Sequence, residues 1–263
     1  MASFTAKDIQ ALRQATGAGM MDAKKALTAA DGNTEAATQA LREKGLAKAA
    51  GREDRENNDG AIAIATNDSA VAMVHLLSET DFSAKSADFI ALVNELAAAV
   101  LVGGADAASA MVNKIDDLKI AKKENIQLGQ VAFIEAGEGQ AIDSYVHMQD
   151  GRGINGVVVL GEGVDSDTLH QIALHIAFAK PTVLTREEVD ADAIAAERSA
   201  LLEITKAEGK PEQAWEKIVE GRLTGWFRDS VLLEQGLHGD KASVKETIGN
   251  GSIVRFAQSF NGA

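Results

Sequence analysis

Two stretches of this chain carry the same order of hydrophobic patterns, and that repetition limits the possible folds more than any other feature. Residues 61–102 begin with two apolar runs, Ala61 to Thr66 and Ala70 to Leu77, separated by Asn67-Asp68-Ser69. Apolar runs bounded by turn residues read as paired strands. Phe89, Val93, Leu96, Ala97 and Val100 then recur at three and four spacing, as on the buried face of a helix. Residues 141–180 repeat the order, with strands at Ala141 to Met148 and Val157 to Leu160. Leu169, Ile172, Ala173, Ile176 and Ala177 line the helix that follows. Two strand-strand-helix units predict an α+β fold with a core duplicated in architecture, although the halves share little identity.

The flanks carry helical patterns instead. Residues 4 to about 45 read as three short helices. Thr5 can cap the first, with Asp8 three residues on completing a capping box, and Ile9 and Leu12 share its inner face. Thr16-Gly17-Ala18-Gly19 turns the chain into a helix with Met20, Met21, Ala23 and Leu27. Asp31-Gly32-Asn33 ends it, and a third helix is predicted from Thr34 to Lys44, with Gly45 as its C-terminal stop. The polar stretch AKAAGREDRENNDG reads as a linker. Farther on, Val189, Ile194, Leu201, Leu202 and Ile204 mark one helix, and Glu208-Gly209-Lys210-Pro211 a turn. Trp215, Ile218, Val219, Arg222, Leu223 and Trp226 mark a second, so the pair predicts an inserted helical hairpin, a short coiled coil. The tail reads as a short helix, Val244 to Ile248, and a strand, Ser252 to Ala257. The expected divisions are 1–46 helical, 47–60 linker, 61–140 first core subdomain, 141–185 with 228–263 second core subdomain, and 186–227 hairpin.

Charge and composition narrow the function. Lys and Arg number 26 against 39 Asp and Glu, a net charge of −13. Phosphate-backbone binding needs a basic footprint, so no direct nucleic-acid contact is expected. With no cysteine, disulfides, thiolate metal sites and cysteine nucleophiles are excluded. MASFTAKDIQALRQ has no basic segment leading into an apolar one, and no window approaches about 18 consecutive apolar residues. A cytoplasmic protein that does not engage membranes is the expectation.

Catalytic motifs fail on inspection. GRGING, residues 151–156, fits Gly-x-Gly-x-x-Gly, but Val157-Val158-Val159-Leu160 follows it, and a dinucleotide loop must open a helix. A hairpin turn is the better reading. His170 and His175 are five apart, roughly 140° round a helix, and cannot chelate one ion from one face. His75 lies in a strand and reads as structural. No catalytic residue, metal ligand or cofactor is expected, and the chain does not read as an enzyme.

What remains are apolar residues in polar settings. In SETDFSAKSADF, Asp81 and Phe82 sit at a strand-to-helix junction. Phe82 either folds onto its own core or enters a partner, and the Met20-Met21 pair is either half core or wholly docking surface.

Several segments in order, TGAGMMDAKKAL, SETDF, HIAFAKP, EGKPEQAWEKIVEGRL and LLEQ, together resemble the bacterial elongation factor Ts family. The resemblance implies a guanine-nucleotide exchange factor for the translational GTPase elongation factor Tu. It implies an N-terminal domain similar to ubiquitin-associated domains, a two-half core and a coiled-coil module. It further implies that Thr80, Asp81, Phe82 and Ser83 intrude beside the partner's nucleotide site, with Phe82 as a wedge and Asp81 disturbing the Mg²⁺ waters. Arg13, Met20 and Met21 would dock the N-terminal domain, and His147 would face the partner from the second core half. Assembly stays open between a one-to-one complex and a dimer of such pairs through core or hairpin. Three positions depart from the family pattern. Ser83 replaces a usual apolar residue, Gly-Arg-Gly-Ile-Asn-Gly replaces Gly-Arg-Ile-Gly, and Gly236-Leu237 replaces Pro-Phe after LLEQ. The rivals are an adaptor whose N-terminal domain captures a ubiquitin-like or nascent-chain ligand, and an enzyme with an unrecognised site.

Overall fold

A strand pair this apolar on both faces needs a helix to cover it, and the computed structural model, which describes residues 4–262, supplies one. Strands β1 (Asp59–Thr66) and β2 (Ala70–Ser78) pair antiparallel, with Ile62 opposite His75 and Ala65 opposite Ala72. Before them come helices α1 (Ala6–Thr16), α2 (Met20–Ala29) and α3 (Thr34–Ala50). After them come α4 (Asp81–Ala84), α5 (Ala87–Gly103), α6 (Val112–Lys122) and β3 (Gln127–Glu135). The chain continues through β4 (Gln140–Gln149), β5 (Arg152–Glu162) and α7 (Ser166–Ala179). It ends with α8 (Ala191–Ala207), α9 (Trp215–Ser230), α10 (Val244–Ile248) and β6 (Ser252–Phe260). The mixed α+β class agrees with the sequence pattern.

The chain divides into two compact units. One runs through Phe133 and adds Val146–Gly156 and the residues from Ser259 on; the other holds Ile134–Tyr145 and Val157–Gln258. In the first, the strand order runs β3-β2-β1 and on to the start of β5, where Ile62 pairs with Gly153. Phe89, Val93, Leu96, Ala97 and Val100 of α5 pack with Ala61, Ala63, Val74 and Leu76 in its main core. The pattern of residues 61–102 thus foretold this layer, but not α6 or β3, which also line it through Ile115, Leu118 and Leu128.

The three N-terminal helices enclose Leu12, Ala23, Leu27, Ala37 and Leu41. Thr5 and Asp8 form the expected capping box. The expected stop at Gly45 is corrected: α3 continues to Ala50 and Gly45 lies inside it. Its role is close packing, since a Cβ there would come within 2.8 Å of Ile120 Cγ2 on α6. Arg42 joins the same seam, donating to Asn113 Oδ1 and pairing with Asp117.

In the second unit α7 lays Leu169, Ile172, Ala173 and Ile176 on Val157, Val159 and Ile253. Helices α8 and α9 form the expected hairpin, but its inner positions differ in detail. Trp226 packs against the hairpin core as expected, but the buried ring beside it is Phe227, and Thr205 is buried where the spacing favoured Ile204. Thr205 is satisfied there, donating to Leu201 O and accepting from Arg222. A polar residue at helical spacing is invisible to an apolar-periodicity reading. The predicted strand at 157–160 is likewise longer, from Arg152. Only Gly151 of GRGING lies in the turn, which it forms with Asp150, both at positive φ (52° for Asp150 and 79° for Gly151), as a two-residue hairpin of the primed type requires. Gly153 already lies in the strand, where a Cβ would meet Ile62 O at 2.3 Å.

Two buried histidines hold segments together. His75 bonds Ser259 Oγ (2.7 Å) and Asn261 Oδ1 (3.0 Å), tying the end of the chain to β2. His175 accepts the His238 backbone N–H at Nδ1 and bonds Gln235 Oε1 through Nε2. Burial depresses both imidazole pKa values. A depressed histidine pKa means the unfolded chain takes up the proton first, so this stability is whole above about pH 6.5 and falls below it.

Two predictions follow from this packing. Gly45→Leu should destabilise the protein by about 1–3 kcal/mol through overpacking. Ile120→Ala should recover much of that loss in the double variant, as read by urea unfolding; additive losses would rule the contact out. The urea midpoint should also decline between about pH 7 and pH 5, above the range where carboxylates titrate. His75→Gln with His175→Gln should flatten that slope.

Candidate functional site

The junction between β2 and α5 is built from a helix too short to hold itself. Residues Asp81–Ala84 make a single turn, α4, with Thr80 at its N-cap in extended conformation. Thr80 Oγ1 accepts the Ser83 N–H, as an N-cap hydroxyl does. Ser78 Oγ donates to Thr80 O, and Ser86 Oγ donates to Ser83 O, so hydroxyls brace the turn on both sides. Ala84 is fully buried in the α5 core and roots the turn there.

Within this turn the four expected residues divide by direction. Phe82 is 83% exposed. Ser83, next to it, is 3% exposed and its hydroxyl donates inward to Glu124 Oε1 at 2.6 Å. Thr80 is exposed, yet its hydroxyl donates to the same oxygen (2.8 Å) and its N–H to Glu124 Oε2 (3.2 Å). Asp81 is exposed and pairs with Lys85 at 2.7 Å, one helical turn on. Lys85 also reaches Asp150 in the β4–β5 turn at 2.9 Å. The Lys85 ammonium, by hydrogen bond and charge, holds the Asp81 carboxyl below the ordinary aspartate range, and its two carboxylates raise the Lys85 pKa in turn. The aspartate is therefore ionised at neutral pH.

Phe82 is thus exposed and not folded back, which overturns the reading that it packs on its own core. Exposure alone would not single it out, since Val102 and Phe178 are equally bare. The ring differs from those in standing on a turn whose flanking residues are all engaged below it.

The other expected residues lie elsewhere. Met20 and Met21 open α2 and are 60% and 64% exposed, so neither is a core residue. Arg13 is exposed on α1, at the same helical corner. His147 is exposed on β4, three residues before Asp150 and beside the exposed Met148. Among the described residues no hydrogen bond or ion pair joins Arg13, Met20 or Met21 to the Thr80–Ser83 turn.

Three residues of the site escaped the sequence reading. Lys85 had a signal, four residues from an aspartate on a helical path. Glu124 and Asp150 had none, because each lies more than 40 positions from its partners in the turn. Among the described residues no group of three acidic or histidine side chains could hold a metal ion. No helix among them is long and apolar enough to cross a membrane.

Removing the Lys85 ammonium should let the Asp81 carboxyl return toward its ordinary pKa near 3.9. Carbon-detected NMR titration of Lys85→Ala should show the Asp81 midpoint shifted upward from that of the unaltered protein. An unmoved midpoint would mean the pair does not form in solution.

Comparison with known proteins places this geometry in context. The sequence pattern of a family described as Elongation factor TS matches residues 79–260. Elongation factor Ts of Clavibacter michiganensis is 44% identical over 259 residues, 94% of each chain. That of Renibacterium salmoninarum is 42% identical over 281 aligned positions covering both chains fully. That of Cutibacterium acnes is 41% identical over 260, covering 94% of this chain and 93% of its own.

Proposed function

The chain belongs to the elongation factor Ts family, and from that premise we propose that it is a non-catalytic guanine-nucleotide exchange factor for elongation factor Tu, working in the cytoplasm. The observation that carries the mechanism is the exposed Phe82 ring on a turn braced from beneath. Its apolar face enters a pocket of the GTPase. Asp81, ionised beside it, disturbs the waters around the partner's Mg²⁺, an ion held on phosphate oxygens through ordered water and so sensitive to small shifts. Thr80 and Ser83 act from below, fixing the turn, and do not themselves fill the pocket.

Residues 1–46 are the docking domain in this reading, joined by 47–60 to the core half 61–140 that carries the wedge. Arg13, Met20 and Met21 give the docking contact, with two adaptable methionine side chains suited to an interface. His147, in the half formed by 141–185 and 228–263, makes a further contact. The functional unit is a one-to-one complex or a dimer of such pairs, the latter joined through the core or the hairpin 186–227.

Linkage governs the energetics. A factor that lowers GDP affinity by some ratio must itself be bound more weakly by that ratio when GDP is present. Burying one Phe contributes about 1.5–3 kcal/mol, or roughly 10- to 150-fold. Anything beyond that must come from the docking residues, so the interface is distributed.

The test is release of fluorescent GDP from elongation factor Tu, chased with unlabelled GDP. The protein should accelerate release in a saturable way. Phe82→Ala should slow that acceleration at least about tenfold with an unchanged melting temperature. An unaltered rate would sink the wedge.

A further inference from the structure

The wedge needs something to hold it, and one side chain does most of that work. The Glu124 carboxylate, two residues past the end of α6, takes three hydrogen bonds from the turn that bears Phe82. Two come from Thr80, through its hydroxyl and its backbone N–H, and one from Ser83. These residues stand on either side of Asp81-Phe82, so one carboxylate grips both flanks of the presented pair. We propose that Glu124 is a positioning residue for nucleotide exchange, acting through Phe82 without touching the partner.

The chemistry suits that task. A carboxylate accepts from several donors at once, and charge-assisted bonds of this kind are stronger than neutral ones. A four-residue helix has too few internal bonds to order itself. Without the acceptor, Ser83 would be left buried with an unused hydroxyl, and the Thr80 N–H would lose its partner. Freed from its braces, the turn would sample many directions, and Phe82 would have to be ordered again on each encounter.

The next residue fixes Glu124 itself. Asn125 is buried, and its side-chain amide donates to the backbone carbonyls of Glu53 (3.1 Å) and Arg55 (2.6 Å). Its own N–H donates to Glu79 at 2.6 Å, immediately before the wedge turn. Arg55 closes the ring with Glu79. The Glu124-Asn125 pair therefore holds the turn with one side chain and the segment leading from the N-terminal helices with the other.

This inference rests on the exchange reading above, and the experiment separates the two. GDP release from elongation factor Tu is measured with the unaltered protein, Phe82→Ala, Glu124→Ala and the double variant. Amide hydrogen exchange of residues 79–86 and the melting temperature are followed in parallel. Glu124→Ala should slow exchange on the order of tenfold, speed hydrogen exchange at 79–86 and lower the melting temperature by no more than a few degrees, the cost of the polar groups left unpaired. In the Phe82→Ala background the same change should add less than about twofold, as expected for two residues acting as one unit. Glu124→Gln keeps one acceptor oxygen and should restore part of the rate, which guards against a folding failure of the alanine variant. If Phe82→Ala slows release and Glu124→Ala does not, the positioning role alone is overturned. Equal losses from Glu124→Ala in both backgrounds also overturn it, since the residue would then act independently of the wedge. If Phe82→Ala itself has no effect, the wedge reading fails and takes the positioning role with it.

Discussion

A large aromatic side chain held out in water must be prevented from collapsing onto the nearest apolar surface, and a single helical turn cannot do this unaided. The turn at Asp81–Ala84 meets the demand with polar bonds. Thr80 and Ser83 direct their hydroxyls down to Glu124, Ser78 and Ser86 hold the two backbone carbonyls, and Ala84 is sunk in the core. The remaining direction for Phe82 is outward. Ser83 supplies a third donor to the same carboxylate.

Beneath that turn the architecture supplies rigid ground. Helix α5 covers β1 and β2, so the strand that leads into the turn and the helix that leaves it share one core. Helix α6 meets this core through Ile115 and Leu118 and receives α3 at the Gly45–Ile120 contact. The same helix delivers Glu124 and Asn125 just beyond its end. The seam with the N-terminal helices and the carboxylate that braces the Asp81–Ala84 turn therefore lie on and just beyond one element.

The acid-base behaviour follows the same division between surface and interior. Asp81 is exposed and gains its low pKa from Lys85, an arrangement that keeps charge at the surface but contributes little to stability. His75 and His175 are buried, kept neutral by desolvation, and spend both ring nitrogens on hydrogen bonds to distant segments. The first arrangement leaves an ionised carboxylate open to solvent. The second suits a joint.

Periodicity in the sequence determined the layers. Apolar spacing located the β1–β2 pair, α5, α7 and the α8–α9 hairpin, and the Thr5-Asp8 capping box was legible because it is a local hydrogen-bond pattern. Local signals also sufficed to place an acidic residue and a Phe at a strand-to-helix junction. They failed at Gly45, where glycine marks a close helix contact instead of a helix end, because the sequence around it does not record that Ile120 lies opposite. They failed again at Thr205, a buried polar residue satisfied by a neighbouring carbonyl and by Arg222. Whether Phe82 and the methionine pair faced inward or outward was decided only by tertiary structure. An apolar side chain has the same pattern signature in either case, and its direction is set by partners such as Glu124 that folding brings from more than 40 residues away.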